Sequence, residues 1–387
     1  MVFINIMKKK VVHFIHGLNT GGAETLVKDY AIGLDKNKYN VSILCYEHRD
    51  SPYEDILKKQ GIKIIYACDN MRFWNKKGII PKIINHYQLY FVIRKNLRML
   101  NPDILHTHLP VNNFVKFAHL RKNIKLFHTV HNEPQKIWFD GDSQGKKDFR
   151  AAKWLVKHHD QRMIVLHDDM RKEVDKLFQV SDSIVLNNGI PFSKFENSKS
   201  KAEMRNELGI PKDSFVIGHV GRFSEQKNHI FLTKIFREIY TRDKNTFLLM
   251  AGAGEEKNKI KSIMDNSPMK DSYLILSNRS DVADLMQAMD VFVFPSKYEG
   301  LGIVLIEAQK SGLPCFASDI IPDYAKVTNL VNFYSLNIDE KEWAKEILKF
   351  RNTEYRNEFI KQSGEVSSEW EMKNVINKLE QIYEGVI

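Results

Sequence analysis

Cysteine is scarce in this 387-residue chain, and the three present, Cys45, Cys68 and Cys315, stand far apart. They form no C-x-x-C pair and no partnered spacing, which excludes a disulfide framework and a structural zinc site. Each reads as a small buried hydrophobe, and the compartment reads as reducing, hence cytoplasmic. Long hydrophobic runs are missing too: nothing approaches the ~20 apolar residues of a membrane-spanning helix. At the start, Met1-Val-Phe-Ile-Asn-Ile-Met7 precedes Lys8-Lys9-Lys10, the reverse of a signal peptide's order. Any membrane contact is therefore expected to be peripheral. Acid is absent from one whole stretch, Asn70 to Pro102, which holds Arg72, Lys76, Lys77, Lys82, Arg94, Lys95 and Arg98 among many apolar residues. No D-x-D-type cluster stands at a strand end, and no nucleic-acid recognition motif is visible.

What is present suits a soluble chain of two domains. Hydrophobic residues make up 43% and charged residues 27%, enough for two cores. The formal charge of +10 is unevenly placed: residues 1–190 carry 31 Lys and Arg against 19 Asp and Glu, while the remainder holds 27 against 29. The first half is thus the one expected to meet something anionic. Nucleic acid, phospholipid and a polyprenyl diphosphate all qualify.

Short, near-continuous apolar runs alternate with helical patterns in both halves, as buried parallel strands in βαβ units do. Strands are predicted at Val11–Ile15, Val41–Cys45, Lys63–Tyr66, Ile104–His106, Leu126–Val130, Arg162–Val165 and Ser183–Leu186. A second series is predicted at Phe215–Val220, Thr246–Met250, Ser272–Leu276, Val291–Phe294 and Pro314–Ala317. The turn-rich stretch from Asn187 to about Lys212 marks the domain joint, and a helical pattern begins at Trp370. In such folds ligands bind where strands end and helices begin.

The most specific segment is Pro295-Ser-Lys-Tyr-Glu-Gly-Leu-Gly-Ile-Val-Leu-Ile-Glu-Ala308. It sets Glu299 and Glu307 eight apart around a glycine-bracketed turn, so one elongated, hydroxyl-rich ligand could meet both. A helix starting near Gly302 would aim its first N–H groups at a diphosphate. Arg222 and Lys227 lie five apart on a strand-to-helix loop and can both bend toward one anion, Arg as a fork and Lys as a compact charge. Gly21 and Gly22 let backbone amides approach a phosphate. His131 follows a predicted strand end, with His106 and His108 as further candidates.

This segment resembles the E-x7-E signature of the retaining glycosyltransferases of family 4. Gly21-Gly22-Ala-Glu24, Asn188-Gly189-Ile190, Gly221-Arg222…Gln226-Lys227-Asn228, Gly252-Ala-Gly254, Asp281-Val282 and Asp290-Val-Phe-Val-Phe-Pro-Ser296 resemble the family's other motifs, in order. The likeness is similar to that of bacterial capsular and exopolysaccharide glycosyltransferases. It implies an α/β GT-B fold, two Rossmann-like doubly wound domains facing each other across a cleft. Residues 1–190 would bind the acceptor, residues 191–365 the nucleotide sugar, and a helix in 366–387 would cross back to the first domain.

The resemblance also implies roles. Glu307 would accept from the ribose hydroxyls and Glu299 from the donor sugar. Backbone N–H groups of Gly300, Leu301, Gly302, Ile303 and Val304 would hold sugar and phosphates. Arg222 and Lys227 would stabilise the departing diphosphate, with Gly21 and Gly22 approaching it, and His131 would stand beside the transferred sugar. The expected activity is retaining transfer of a hexose or N-acetylhexosamine from a UDP-sugar, without metal or other cofactor. The acceptor would be a saccharide, lipid-linked through a polyprenyl diphosphate, and the enzyme peripheral on the inner face of the membrane.

Other readings fit less. A dehydrogenase needs G-x-G-x-x-G after the first strand, which Gly17, Gly21 and Gly22 do not supply. A basic nucleic-acid-binding protein explains the charge but lacks a motif. An epimerase acting on a nucleotide sugar shares the double-Rossmann plan. Pro191 departs from the family, which often has Asp after Asn-Gly-Ile.

Overall fold

The computed structural model describes residues 7–19, 21–48, 51–71, 74, 78–140, 143–196 and 198–387. The chain divides into two compact units, Met1–Asn188 with Lys373–Ile387, and Gly189–Met372. Of the basic stretch, Arg72, Phe73, Lys76 and Lys77 lie outside the described residues.

Among the described residues of the first unit seven strands run parallel: β1 (Lys9–Ile15), β2 (Tyr39–Cys45), β3 (Lys63–Tyr66), β4 (Ile104–His108), β5 (Lys125–Thr129), β6 (Arg162–Val165) and β7 (Ile184–Val185). Their order is β3-β2-β1-β4-β5-β6-β7. Side chains alternate across such a sheet, and the two faces differ here. Val12, Phe14, Leu105 and Leu126 join Leu89, Ile93 and Leu97 of the helix Ile79–Leu100 in one core. Burying each such side chain is worth roughly 1.5–3 kcal/mol. The alternate positions hold His13, His106 and His108, all fully buried, beside Tyr30 of the helix Gly22–Gly33 and Tyr383 of the helix Met372–Glu384. Ile376 of that last helix seats against Gly33, where a Cβ would lie 2.0 Å from Ile376 Cδ1.

The second unit repeats the plan with β8 (Phe215–Val220), β9 (Thr246–Ala251), β10 (Tyr273–Leu276), β11 (Val291–Phe294), β12 (Cys315–Ser318) and β13 (Val331–Tyr334), ordered β10-β9-β8-β11-β12-β13. Its core gathers Phe215, Ile217, Leu248, Met250, Val291 and Val293 with Leu232, Phe236, Trp343 and Ile347 from the flanking helices. Both sheets reverse strand order beside their first strand, between β1 and β4 and between β8 and β11. Those are the switch points at which open α/β sheets bind ligands.

Two features differ from the sequence reading. The stretch after Asn187 holds the helices Phe192–Glu196 and Lys201–Glu207, the second opened by a capping box in which Ser200 and Glu203 satisfy each other's backbone. β13, with its polar Asn332 and half-buried edge position, was not expected.

Candidate active site

At the second switch point two loops are zipped together. After β8, the Gly221 amide donates to Ala251 O and the Phe223 amide to Ala253 O, both at 2.9 Å. This close approach requires Gly252 and Gly254: at φ 156° and 154° their added Cβ atoms would lie 1.9 Å from Gly221 O and 2.3 Å from Phe223 O. The Gln226 side chain donates to Tyr298 O at 2.9 Å, and the Lys297 amide to Gln226 O at 2.8 Å. The loop after β8 is thereby fixed against the loop after β11.

Charged side chains sit on that seam. Lys227 Nζ donates to Glu299 Oε1 at 2.6 Å and lies 4.7 Å from the Phe294 ring centroid. The side chains are 15% and 8% exposed, so both charges are largely out of water. Three residues on, Gly302 takes a left-handed φ of 76° and opens the helix Ile303–Lys310, as expected for a chain that must turn sharply into a helix N-terminus. Ile303 and Glu307, one turn apart, share its less buried face, while Leu301 and Val304 are buried. The structure thus brings Lys227, Glu299 and the start of the Glu307 helix together. Arg222 is placed otherwise: it is exposed and pairs with Glu255 at 3.3 Å.

Two buried side chains that sequence reasoning did not single out brace the elements around this site, Asp290 at the amino end of β11 and Gln309 on the helix after Gly302. Asp290 pairs with Lys201 and Arg205 at 2.7 Å and Arg356 at 2.8 Å, and accepts from the Val216 amide. Gln309 donates to Ala325 O and accepts from the Val327 and Thr328 amides. Asp290 stood in a recognised motif, whereas nothing local marked Gln309.

At the first switch point the polar groups are imidazoles. His13 and His106 are register partners on β1 and β4. His13 Nδ1 is 3.1 Å from His108 Nε2, and His108 Nδ1 is 3.0 Å from His131 Nε2. His131 lies two residues beyond β5 and is part exposed. Burial pushes His13, His128 and His131 down to about 3. Burial also holds His106 and His108 well below the usual range, and the neighbouring rings add to the effect. The rings are therefore neutral at ordinary pH.

Among the described residues, His13, His106 and His108 are the set whose nitrogens lie close enough to share a metal, within 4.8 Å. His106, however, spends one nitrogen on Tyr383 Oη and the other on Thr129 Oγ1, each at 2.7 Å. A metal would have to break one of these, so the cluster fits a hydrogen-bonded network better than a ligand set. Gly21 caps the helix Gly22–Gly33 in extended backbone, and the Glu24 carboxylate folds against it, where a Cβ would lie 2.3 Å from Oε2.

Both halves of the chain match known proteins. Residues 20–194 match the family described as Glycosyltransferase Family 4, and residues 200–365 match Glycosyl transferases group 1. EpsF of Bacillus subtilis (strain 168), whose name calls it a glycosyltransferase, is 29% identical over 371 residues, covering 93% of this chain and 92% of that protein. UDP-Gal:alpha-D-GlcNAc-diphosphoundecaprenol alpha-1,3-galactosyltransferase of Escherichia coli is 25% identical over 349 residues, covering 86% and 85%. The crystal structure of Anabaena Alr3699/HepE in complex with UDP and glucose superposes with a TM-score of 0.78 at 15% identity, covering 97% and 99% of the two chains, and shares the fold. The two family matches together cover most of both Rossmann-like units, leaving out β1 and the helix Met372–Glu384, and the chain belongs to the family 4 glycosyltransferases.

Proposed function

We propose that the protein transfers a hexose or N-acetylhexosamine from a UDP-sugar to a saccharide acceptor, with retention and without a metal, in the building of a bacterial surface polysaccharide. The observation that carries the donor half is the buried Lys227–Glu299 pair beside the N-terminus of the helix Ile303–Lys310. Two charges out of water must keep partners. A nucleotide sugar offers each one a replacement: diphosphate oxygens for Lys227, sugar hydroxyls for Glu299. Glu307 takes the ribose hydroxyls, the backbone of Gly300 to Val304 the sugar and phosphates, and Arg222 exchanges Glu255 for phosphate. Gly21 and Gly22 supply further amides, and His131 meets the transferred sugar. The acceptor oxygen bonds to the anomeric carbon on the face that UDP leaves, and the acceptor proton passes to the departing phosphate. A UDP-sugar and a diphosphoundecaprenol-linked acceptor stand in the name of the Escherichia coli relative, which supports this choice.

The acceptor end of the proposal rests on the helix Ile79–Leu100. Asn85, Leu89, Ile93 and Leu97 bury one side of it, while Ile79, Ile80, Ile83, Ile84, Tyr87 and Phe91 stand exposed on the other, Ile79 at 78%. That exposed side continues into Arg94, Lys95 and Arg98, with no acid in the helix. Two copies meeting there would set like charges together, whereas an anionic lipid surface complements them. No helix among the described residues is long and apolar enough to cross a membrane, so the contact is peripheral.

The test is thermal unfolding of the purified protein against a panel of nucleotides and nucleotide sugars, with Lys227→Ala and Glu307→Ala alongside. A ligand of the folded state raises the melting temperature. A rise with UDP or one UDP-sugar, lost in both variants, supports the donor site. A rise only with nicotinamide dinucleotides, or none while nucleic acid binds, sinks it.

A further inference from the structure

His13, His108 and His131 form a line in which each ring faces the next through one nitrogen, at 3.1 and 3.0 Å. A neutral imidazole has one N–H and one lone pair, so fixing the proton on one ring fixes it on all three. Two registers exist. In the first, every ring carries its proton on Nδ1: His13 donates to His108, His108 donates to His131, and His131 is left with Nδ1–H to offer. In the second, every proton sits on Nε2, and His131 is left with a lone pair on Nδ1.

The far end of the line separates them. His13 Nε2 is buried and has no hydrogen-bond partner. The second register would make it an orphaned buried N–H, the group folded proteins avoid most. The first leaves only a lone pair there, among the rings of Tyr30 and His106. The groups that face the line from other positions are His106 on β4, His128 on β5, Tyr30, and Tyr383 through His106. Among the described residues no carboxylate hydrogen-bonds to the line, so nothing there favours an imidazolium.

We propose that His13 and His108 are positioning residues that hold His131 as a neutral Nδ1–H donor toward the transferred sugar, rather than as a base. The sugar contact rests on the function proposed above; the tautomer does not. With His131 already protonated on the nitrogen it presents, the acceptor proton has to leave by the phosphate route.

Long-range 1H–15N NMR of the full chain with 15N-labelled histidine tests this, with His131→Asn assigning the His131 signals. The expected spectrum shows His131 protonated on Nδ1 and bare on Nε2, unchanged from pH 5.5 to 8. In His108→Phe and His13→Phe the ring shifts toward the Nε2–H form, and kcat falls about tenfold with the donor KM within twofold. An Nε2–H ring in the unaltered protein, or titration near pH 6.5, overturns the proposal even if neither variant folds. An Nδ1–H ring in a protein whose His131→Ala variant transfers sugar at full rate overturns the sugar contact alone.

Discussion

The two units share a strand order and place polar groups at the same topological position, yet they solve burial differently. In Gly189–Met372 the groups there are ions, Lys227 with Glu299, each held by the opposite charge. In Met1–Asn188 they are uncharged rings that satisfy one another. An ion pair answers a charged ligand by exchanging partners. A neutral line answers only through hydrogen bonds and cannot be charged without breaking. On the function proposed above, the ionic half would manage a diphosphate and the neutral half hydroxyls.

Removing one partner of the buried ion pair should give the largest effect. Lys227→Ala is expected to slow sugar transfer about 100–1,000-fold and to destabilise its unit by about 3 kcal/mol, because Glu299 is left buried and unpaired. Steady-state transfer kinetics and urea unfolding measure the two; transfer within tenfold of normal would end the ionic account of the donor site. Gly252→Ala is next. Its Cβ would meet backbone that cannot retreat, so a loss of about 3 kcal/mol is expected by urea midpoint, in the second unit only.

Acid should separate the units. His13, His106, His108 and His128 in the first unit, and His219 and His229 in the second, are buried with lowered pKa values, about 3 for His13 and His128 and about 4 for His219. Unfolded histidine takes a proton below about pH 6.5. These groups therefore contribute stability that is complete above that pH and is lost as pH falls toward 3, at up to about 1.4 kcal/mol per pH unit for each. Asp148, which burial pushes up to about 6, works oppositely: its contribution is present below its unfolded pKa and is lost as pH rises through 6. Four histidines outweigh one carboxyl, so hydrogen exchange at pH 5.5 should show the first unit opening before the second. The reverse order would break the comparison.

Smaller effects lie at the surface. Ile83→Glu with Ile84→Glu should cut binding to phosphatidylglycerol vesicles about tenfold in a sedimentation assay and leave transfer to a soluble acceptor unchanged. Arg222→Ala should change stability by less than about 0.5 kcal/mol, since its partner Glu255 is exposed, and should raise the donor KM. An unaltered KM would remove Arg222 from the proposed diphosphate site.

Legibility in the sequence followed the same divide. Buried parallel strands are near-continuous apolar runs, and twelve of the thirteen among the described residues coincide with predicted segments; β13 escaped because Asn332 interrupts its apolar run and most of it is only half-buried at the sheet edge. The helix at Gly302 was readable because glycine turns and spacing are local. The partnership of Lys227 with Glu299, 72 residues apart, was not, and the loop spacing alone did not turn Arg222 toward Glu255. The imidazole line was hidden more deeply. β4 reads Ile-Leu-His-Thr-His, and only the register that sets His13 beside His106 shows why two histidines alternate there.

The helix Met372–Glu384 has a consequence for biosynthesis. It completes a unit whose other residues end at Asn188, so a ribosome reaches it about 10–40 s later, at some 5–20 residues per second. During that interval His106 lacks the Tyr383 hydroxyl, Gly33 lacks Ile376, and Lys125 lacks the Tyr383 carbonyl to which it donates at 2.8 Å. The second unit is continuous in the chain and can finish first, although it is made second. Nascent chains stalled shortly before Lys373 should therefore expose protease sites in the earlier-made half, the part for which a chaperone would have to wait.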